Sequence, residues 1–158
     1  MSETRLFPIE QTVITSDDWY TPQWIFESLN LTFQLDVCSP PSGVPWIPAQ
    51  KYFSQKDDGL SQDWDGLVWM NPPFSDPLPW VRKFVQHGNG VALVPTSNGK
   101  WQSELWNADS YWVTLPSLKF QSLLGLAKSG LPNRCWLVAM GDGAVEALYN
   151  SKIGKVKH

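Results

Sequence analysis

The chain has 158 residues, 42% of them hydrophobic and 17% charged, and carries a net charge of −3. That length suffices for one buried core, and no stretch nears the ~20 apolar residues of a membrane helix. The N-terminus lacks a basic region followed by an apolar one, so no secretory signal is expected. Cys38 and Cys135 stand far apart, as do His87 and His158. This spacing speaks against a metal centre and for two reduced, buried thiols in a cytosolic protein. The acidic balance speaks against avid nucleic-acid binding, because phosphate contact needs local positive charge. Ten tryptophans are too many for one site, so most are expected in the core or between packed elements.

Residues 1–15 show no periodic pattern and read as an arm, leaving 16–158 as a single domain. Asp17 or Asp18 is placed to cap a helix over 23–29, with Pro22 tolerated in its first turn. A short strand follows at 33–37. Residues 39–50 hold Pro40, Pro41, Pro45 and Pro48 and must be irregular, either a flap over a ligand or a rigid crossover. Further strands are expected at 51–53 and 66–70. A helix over 78–86 should turn Trp80, Phe84 and Val85 inward. The rest reads as a strand at 91–94, a helix at 99–106, strands at 111–115 and 135–140, and a helix at 144–150. This alternation predicts an α/β fold with a mostly parallel central sheet and helices on both faces.

The chemistry concentrates where an apolar run, Leu67, Val68, Trp69 and Met70, meets Asn71, Pro72, Pro73 and Phe74. The prolines end the strand and donate nothing to a ladder. The Asn71 side-chain oxygen and the Pro72 carbonyl are then left as acceptors, with Phe74 as a flat apolar face. Such a set suits a planar ring carrying an exocyclic amino group, as adenine does. Two acceptors, one for each amino hydrogen, would localise the nitrogen lone pair for attack on an electrophilic methyl group. Asn71 is an amide and cannot be a general base near neutral pH, so positioning and electrostatics carry the catalysis. An ordinary Pro-Pro turn after a strand is the bland alternative.

Asn71-Pro72-Pro73-Phe74 resembles the (Asp/Asn/Ser)-Pro-Pro-(Tyr/Phe/Trp) motif of amino-methyltransferases that use S-adenosylmethionine. The ordered segments Asp18-Trp19-Tyr20-Thr21-Pro22, Leu35-Asp36-Val37-Cys38-Ser39, Lys51-Tyr52-Phe53, Asp57-Asp58-Gly59-Leu60 and Asp63-Trp64 resemble the compact, phage-type (Dam-like) DNA N6-adenine methyltransferases. The resemblance spans residues 16–140 and implies a reduced Rossmann-like fold without a large separate target-recognition domain. It implies that Thr21, Pro22 and Asp36 contact the methionine part of the cofactor, with Cys38 small enough for close approach. It implies that Asp57 or Asp58, and Asp63, contact ribose and adenine, with Trp64 lining the adenine pocket. One departure is that the first glycine after Asp36 comes late, at Gly43.

Residues 116–134 hold Lys119 and Phe120, which by the same resemblance would meet a phosphate and a flipped adenine. A strand-connecting hairpin with a core phenylalanine is the other reading. Basic residues gather at Arg82 and Lys83, at Lys119, Lys128 and Arg134, and at Lys152, Lys155 and Lys157. The implied partner is DNA, double-stranded with base flipping, for a monomer or weak dimer in the cytoplasm of a bacterium or a phage-infected host. Methylation of RNA bases or of protein glutamine remains open on the same tetrapeptide. So does a catalytically inactive relative that binds cofactor or nucleic acid.

Overall fold

The computed structural model describes residues 20–96, 99–115, 118–121, 127–129 and 134–154; of 119, 121 and 127–129 it describes the backbone alone. The arm over 1–15, Asp17, Asp18, Trp19, Ser97, Asn98, Gly125, Gly130, Lys155, Lys157 and the side chains of Lys119 and Lys128 lie outside these residues. Helix α1 (Gln23–Leu29) has Pro22 itself as N-cap, in extended conformation, with no side-chain cap. Pro22 has a fixed φ, and its carbonyl accepts from Ile25 N at 3.2 Å; the expected cap by Asp17 or Asp18 falls on residues outside those described. Asn30 closes α1 with a left-handed φ of 52°.

The strands are β1 (Phe33–Ser39), β2 (Ala49–Ser54), β3 (Val68–Met70), β4 (Gly90–Pro95), β5 (Tyr111–Thr114), β6 (Lys119–Gln121), β7 (Ala127–Ser129) and β8 (Cys135–Met140). The further helices are α2 (Leu78–His87), α3 (Lys100–Trp106) and α4 (Asp142–Ser151). Six strands make one sheet in the order β2-β1-β3-β4-β8-β5. The β1–β2, β1–β3 and β3–β4 pairs are parallel, while β8 runs antiparallel to both β4 and β5. β8 is therefore the one reversed strand. The architecture is mixed α/β with a mostly parallel sheet, compatible with a reduced Rossmann-like fold. β6 and β7 form a separate antiparallel pair.

Helices cover both faces, and this explains why the central strands read as unbroken apolar runs rather than alternating ones. Trp69, Val91, Leu93 and Leu137 join Ile25, Phe26 and Leu29 of α1 and Ala144 and Leu148 of α4 in one cluster. Val68, Met70, Ala92 and Val94 join Val81 and Phe84 of α2 and Trp101 and Leu105 of α3 in the other. Within α2 the fully buried side chains are Val81 and Phe84, whereas Trp80 and Val85 are half-buried flanks. The inward stripe is thus a helical i, i+3 pair, narrower than the three residues the apolar letters suggested. Of the nine tryptophans described, Trp64, Trp69 and Trp101 are buried, and Trp24 and Trp106 are exposed.

Two short 3-10 turns, Gln55–Asp57 and Gly59–Ser61, follow β2 and were not expected. Gly59 is required by close approach: a Cβ there would overlap the Val37 carbonyl oxygen and press on the Trp80 ring. Replacing Gly59 with alanine should lower stability by about 1–3 kcal/mol through overpacking, read as a lower urea midpoint at unchanged m-value. Gly43 has a different task. Its φ of 76° turns the crossover between β1 and β2 beside the Tyr52 ring, so the late glycine serves that turn.

Candidate active site

The strand order creates the site. From β1 the chain goes to β2 on one side, then returns past β1 to β3 on the other. Loops leaving the carboxyl ends of β1 and β3 therefore diverge, and the crevice at such a switch point is where open α/β sheets bind ligands. Asp36 stands in the middle of β1 and Cys38 and Ser39 at its carboxyl end, and Asn71 directly follows β3. Asp36 pairs in register with Trp69, two residues before Asn71.

Asn71 is half-buried, and its Nδ2 donates to Thr21 Oγ1 at 3.5 Å across 50 residues of sequence. Among the described residues, neither the Asn71 side-chain oxygen nor the Pro72 carbonyl accepts a hydrogen bond. Both expected acceptors are thus unbonded among the described residues. Pro72 is buried, Pro73 and Phe74 are half-buried, and Asp76 N closes the turn on the Pro73 carbonyl at 3.2 Å. Thr21 is fully buried, and its carbonyl accepts from Trp46 Nε1 at 2.7 Å. Trp46 belongs to the crossover between β1 and β2, so three separate segments meet beside Asn71. No sequence signal beyond a lone aromatic in a proline-rich loop marked Trp46 for this role.

Asp36 is 2% exposed, and burial pushes its carboxyl pKa up to about 7, against a smaller lowering by the Cys38 N–H at 3.3 Å. No cation among the described residues pairs with it. Beside it, Trp69 Nε1 is buried without a hydrogen-bond partner among the described residues, its ring packed edge-on to Phe26 at 4.7 Å. Among the described residues, then, a buried acid without a counterion and a buried N–H without an acceptor lie on adjacent strands. Cys38 is half-buried.

The remaining expected residues divide. Asp57 caps its own 3-10 turn, its Oδ2 accepting from Ser54 N at 2.9 Å and Ser54 Oγ at 3.2 Å. Asp58, held at a φ of 56°, is exposed, and its carboxylate has no partner among the described residues. Asp63 is exposed, but Trp64 is buried in the α2–α3 cluster, its Nε1 donating to the Gly59 carbonyl at 2.9 Å. Trp64 stands edge-on to His87 at 6.0 Å, and His87 Nε2 lies 2.7 Å from the Gly66 carbonyl just before β3. That is the amino end of β3, while Gly59, which Trp64 meets, lies against the Val37 carbonyl of β1. Phe120 is 2% exposed in the core cluster against which Phe74 packs, as the hairpin reading has it. Thr21, Pro22, Asp36, Cys38 and Asn71 to Phe74 are brought together.

The first basic group is spent internally. Arg82 pairs with Glu104 at 2.9 Å, and Lys83 donates to the Leu60 carbonyl at 3.0 Å. Arg134 is exposed at the start of β8, beside the carboxyl end of β4, with its carbonyl accepting from Thr96 N at 3.1 Å. A cleft of about 650 Å3 lies at the opposite end of the sheet, lined by residues including Gly88, Tyr111, Gly141 and Glu146, and holds none of the expected site residues. No group of three or more metal-ligating side chains occurs among the described residues. No described helix is long and apolar enough to cross a membrane.

Fold and crevice define a class first: α/β proteins that bind ligands at strand ends, here with an amide-proline-proline-aromatic step beside a buried acid. The particular family follows from comparison. The family model described as DNA N-6-adenine-methyltransferase (Dam) matches residues 10–121, and the chain belongs to that family. Its phage character is supported by a DNA N-6-adenine-methyltransferase of Haemophilus phage HP1 (strain HP1c1), 31% identical over 96 residues. That alignment covers 54% of this chain and 54% of the phage protein, so the chain spans about half the length of the curated relative it matches. No solved structure gives a significant match.

Proposed function

We propose that this protein transfers a methyl group from S-adenosylmethionine to the N6 amino group of adenine in DNA. The observation that carries the reading is the pair of unbonded acceptors, Asn71 Oδ1 and the Pro72 carbonyl, at the switch-point end of β3. The site suits a cationic donor, because the buried Asp36 carboxyl has no cationic partner among the described residues. When bound, S-adenosylmethionine supplies an electrophilic methyl group on sulfur. Asp36, with Thr21, Pro22 and Cys38, holds the methionine part, and Asp58 rather than Asp57 faces the ribose hydroxyls. The engagement of Asp57 in its cap supports that choice.

Asn71 and Pro72 each accept one hydrogen of the adenine amino group. The nitrogen leaves the plane of the ring, its lone pair forms the new N–C bond, and the sulfur–carbon bond breaks with its electrons going to sulfur. The extra proton passes to water, since neither acceptor is a base. Phe74 packs on the base after its extrusion from the duplex, which costs a few kcal/mol of stacking and pairing. Phe120 supports Phe74 from the core, and Lys119 meets the flanking phosphate. The biological setting is modification of phage DNA against nucleases in the cytoplasm of the host, by a single domain acting as a monomer or weak dimer.

Co-expression with plasmid DNA, followed by nucleoside mass analysis, tests the proposal. N6-methyladenine should accumulate over a vector control. Parallel incubations of labelled donor with DNA, RNA and protein separate the substrates. Label entering RNA or glutamine but not DNA would overturn the DNA reading.

A further inference from the structure

Among the described residues, one edge of the central sheet is open. β5 ends the strand order, and β8 alone pairs with it. Leu115 N donates to the Cys135 carbonyl at 3.0 Å, so Tyr111 and Val113, of the same parity, turn their N–H and C=O toward β8. Trp112 and Thr114 turn theirs outward. Gly154 stands against the Thr114 carbonyl, where a Cβ would overlap it, so the open part of the edge centres on Trp112. Sheet edges are commonly blunted by charge, proline or a bulge. β2, at the other edge, carries Lys51 and an irregular register with β1. Tyr111, Trp112, Val113 and Thr114 carry no charge and no proline, and they pair with β8 without a break. We propose that this edge binds the same edge of a second copy, in an antiparallel strand pair centred on Trp112, joining two sheets about a twofold axis. The inference does not depend on the methyl-transfer reading.

Exposed rings flank the edge on both faces. Trp106 and Tyr149, each 63% exposed, are the two most exposed large apolar side chains among the described residues. Trp106 meets Trp112 edge-on at 5.4 Å on the α3 face, and Tyr149 meets Tyr111 at 6.4 Å on the α4 face. A strand added at β5 covers both pairs, which one face alone would not require. Charge selects the partner. At the Tyr111 end lies the cleft of about 650 Å3, lined in part by Asp109, Ser110, Asp142 and Glu146. Its three carboxylates are exposed, and Lys152 stands at the rim, 5.8 Å over the Tyr149 ring. At the Thr114 end stands exposed Arg134, next to Cys135, and Lys155 and Lys157 follow Gly154 in the sequence. With Trp112 opposite the partner's Trp112, Ser110 faces the partner's Thr114. The acidic end of each copy then meets the cationic end of the other, twice, whereas a parallel pairing would set like charge against like. The strand is thus complementary to its own reversed copy. The contact is small, so a dissociation constant on the order of 10 μM is expected. The two Asn71 crevices open at opposite ends of the joined sheet, so methyl transfer per chain is unchanged by the pairing.

Sedimentation equilibrium of the full chain over a range of concentrations tests the proposal. A monomer–dimer equilibrium should appear at low salt and loosen at least about fivefold at high salt. Trp106→Ala and Tyr149→Ala should each raise the dissociation constant at least about tenfold. Asp109→Lys and Arg134→Asp should do the same singly, and the double variant should return to within about threefold of wild type, because the two ends have exchanged sign. Hydrogen exchange on wild type makes the test independent of how the variants fold. The Trp112 amide should gain protection as concentration rises, while those of Tyr111 and Val113, already turned to β8, stay as they are. A monomer at every concentration overturns the inference. So does a Trp112 amide protected equally at all concentrations, which would mean that the edge is covered within one chain. Concentration-dependent protection on β2 in place of β5, or a dimer indifferent to both rings and to the charge exchange, overturns it as well.

Discussion

Asn71→Ala is expected to lower kcat for adenine methylation by about 10^2–10^3-fold, the scale on which removing one preorganised polar group from a reacting centre acts. Cofactor affinity should stay within about twofold, because the Asn71 side chain is spent on Thr21 and, in the proposed geometry, on the base. Alanine removes one of two acceptors and leaves the Pro72 carbonyl, so the amino nitrogen loses half of what draws it out of the ring plane. Asn71→Leu should be as inactive as alanine, since it keeps the approximate volume and offers no acceptor. Asn71→Asp should retain part of the rate, because a carboxylate still accepts. Single-turnover methyl transfer with labelled donor measures the first quantity, and calorimetric titration of the donor measures the second. An alanine variant that transfers within tenfold of wild type would show that the chemistry lies elsewhere.

The order of these effects reflects what could be read from the chain and what could not. β3 and β4 were legible because both of their faces are buried, giving continuous apolar runs that end at Asn71 and at Pro95. The prolines after Asn71 marked the strand end, and strand-helix alternation indicated a parallel sheet. The crevice itself was legible only in outline. Asn71 and Thr21 stand 50 residues apart, and nothing in local spacing says that their side chains meet. Asp57 and Asp58 are chemically alike and adjacent, yet one caps a 3-10 turn while the other is turned outward by a left-handed φ. That distinction depends on the backbone of the turn, which neither acid reveals. Trp64 was expected to line the adenine pocket by resemblance alone. Its indole N–H is satisfied by Gly59 and its ring is buried in the cluster of α2 and α3, neither of which local sequence shows. Phe120 shows the same competition between core and ligand for a large apolar ring.

Asp36 should make both stability and donor affinity depend on pH, in opposite directions. Its pKa is raised from 3.8 to about 7, and desolvation is the leading cause. Cys38 contributes a backbone N–H, while the register partners on the neighbouring strands are Tyr52 and Trp69, so no described cation offsets the burial. The folded protein therefore favours the protonated acid. Its contribution to stability is fully present below about pH 3.8 and is lost as pH rises through about 7. The full span is worth about 4 kcal/mol at 1.36 kcal/mol per pKa unit. Asp36→Asn should accordingly be more stable than wild type at pH 8 and close to it at pH 4, compared by urea midpoints. A positively charged donor reverses the preference, because it stabilises the carboxylate. Donor affinity in wild type should rise by up to about tenfold per pH unit below 7 and level off above it, with a proton released on binding. Calorimetry at pH 6 in buffers of different ionisation enthalpy reads that proton directly. Asp36→Asn should bind the donor more weakly, without proton release and with little pH dependence below 7. Wild-type affinity that is equal at pH 5.5 and pH 8, with no buffer dependence, would mean that Asp36 does not face the donor's charge. The carboxyl would then be a neutral, buried hydrogen-bonding group in the middle of β1, and the cation would have to be met by other residues.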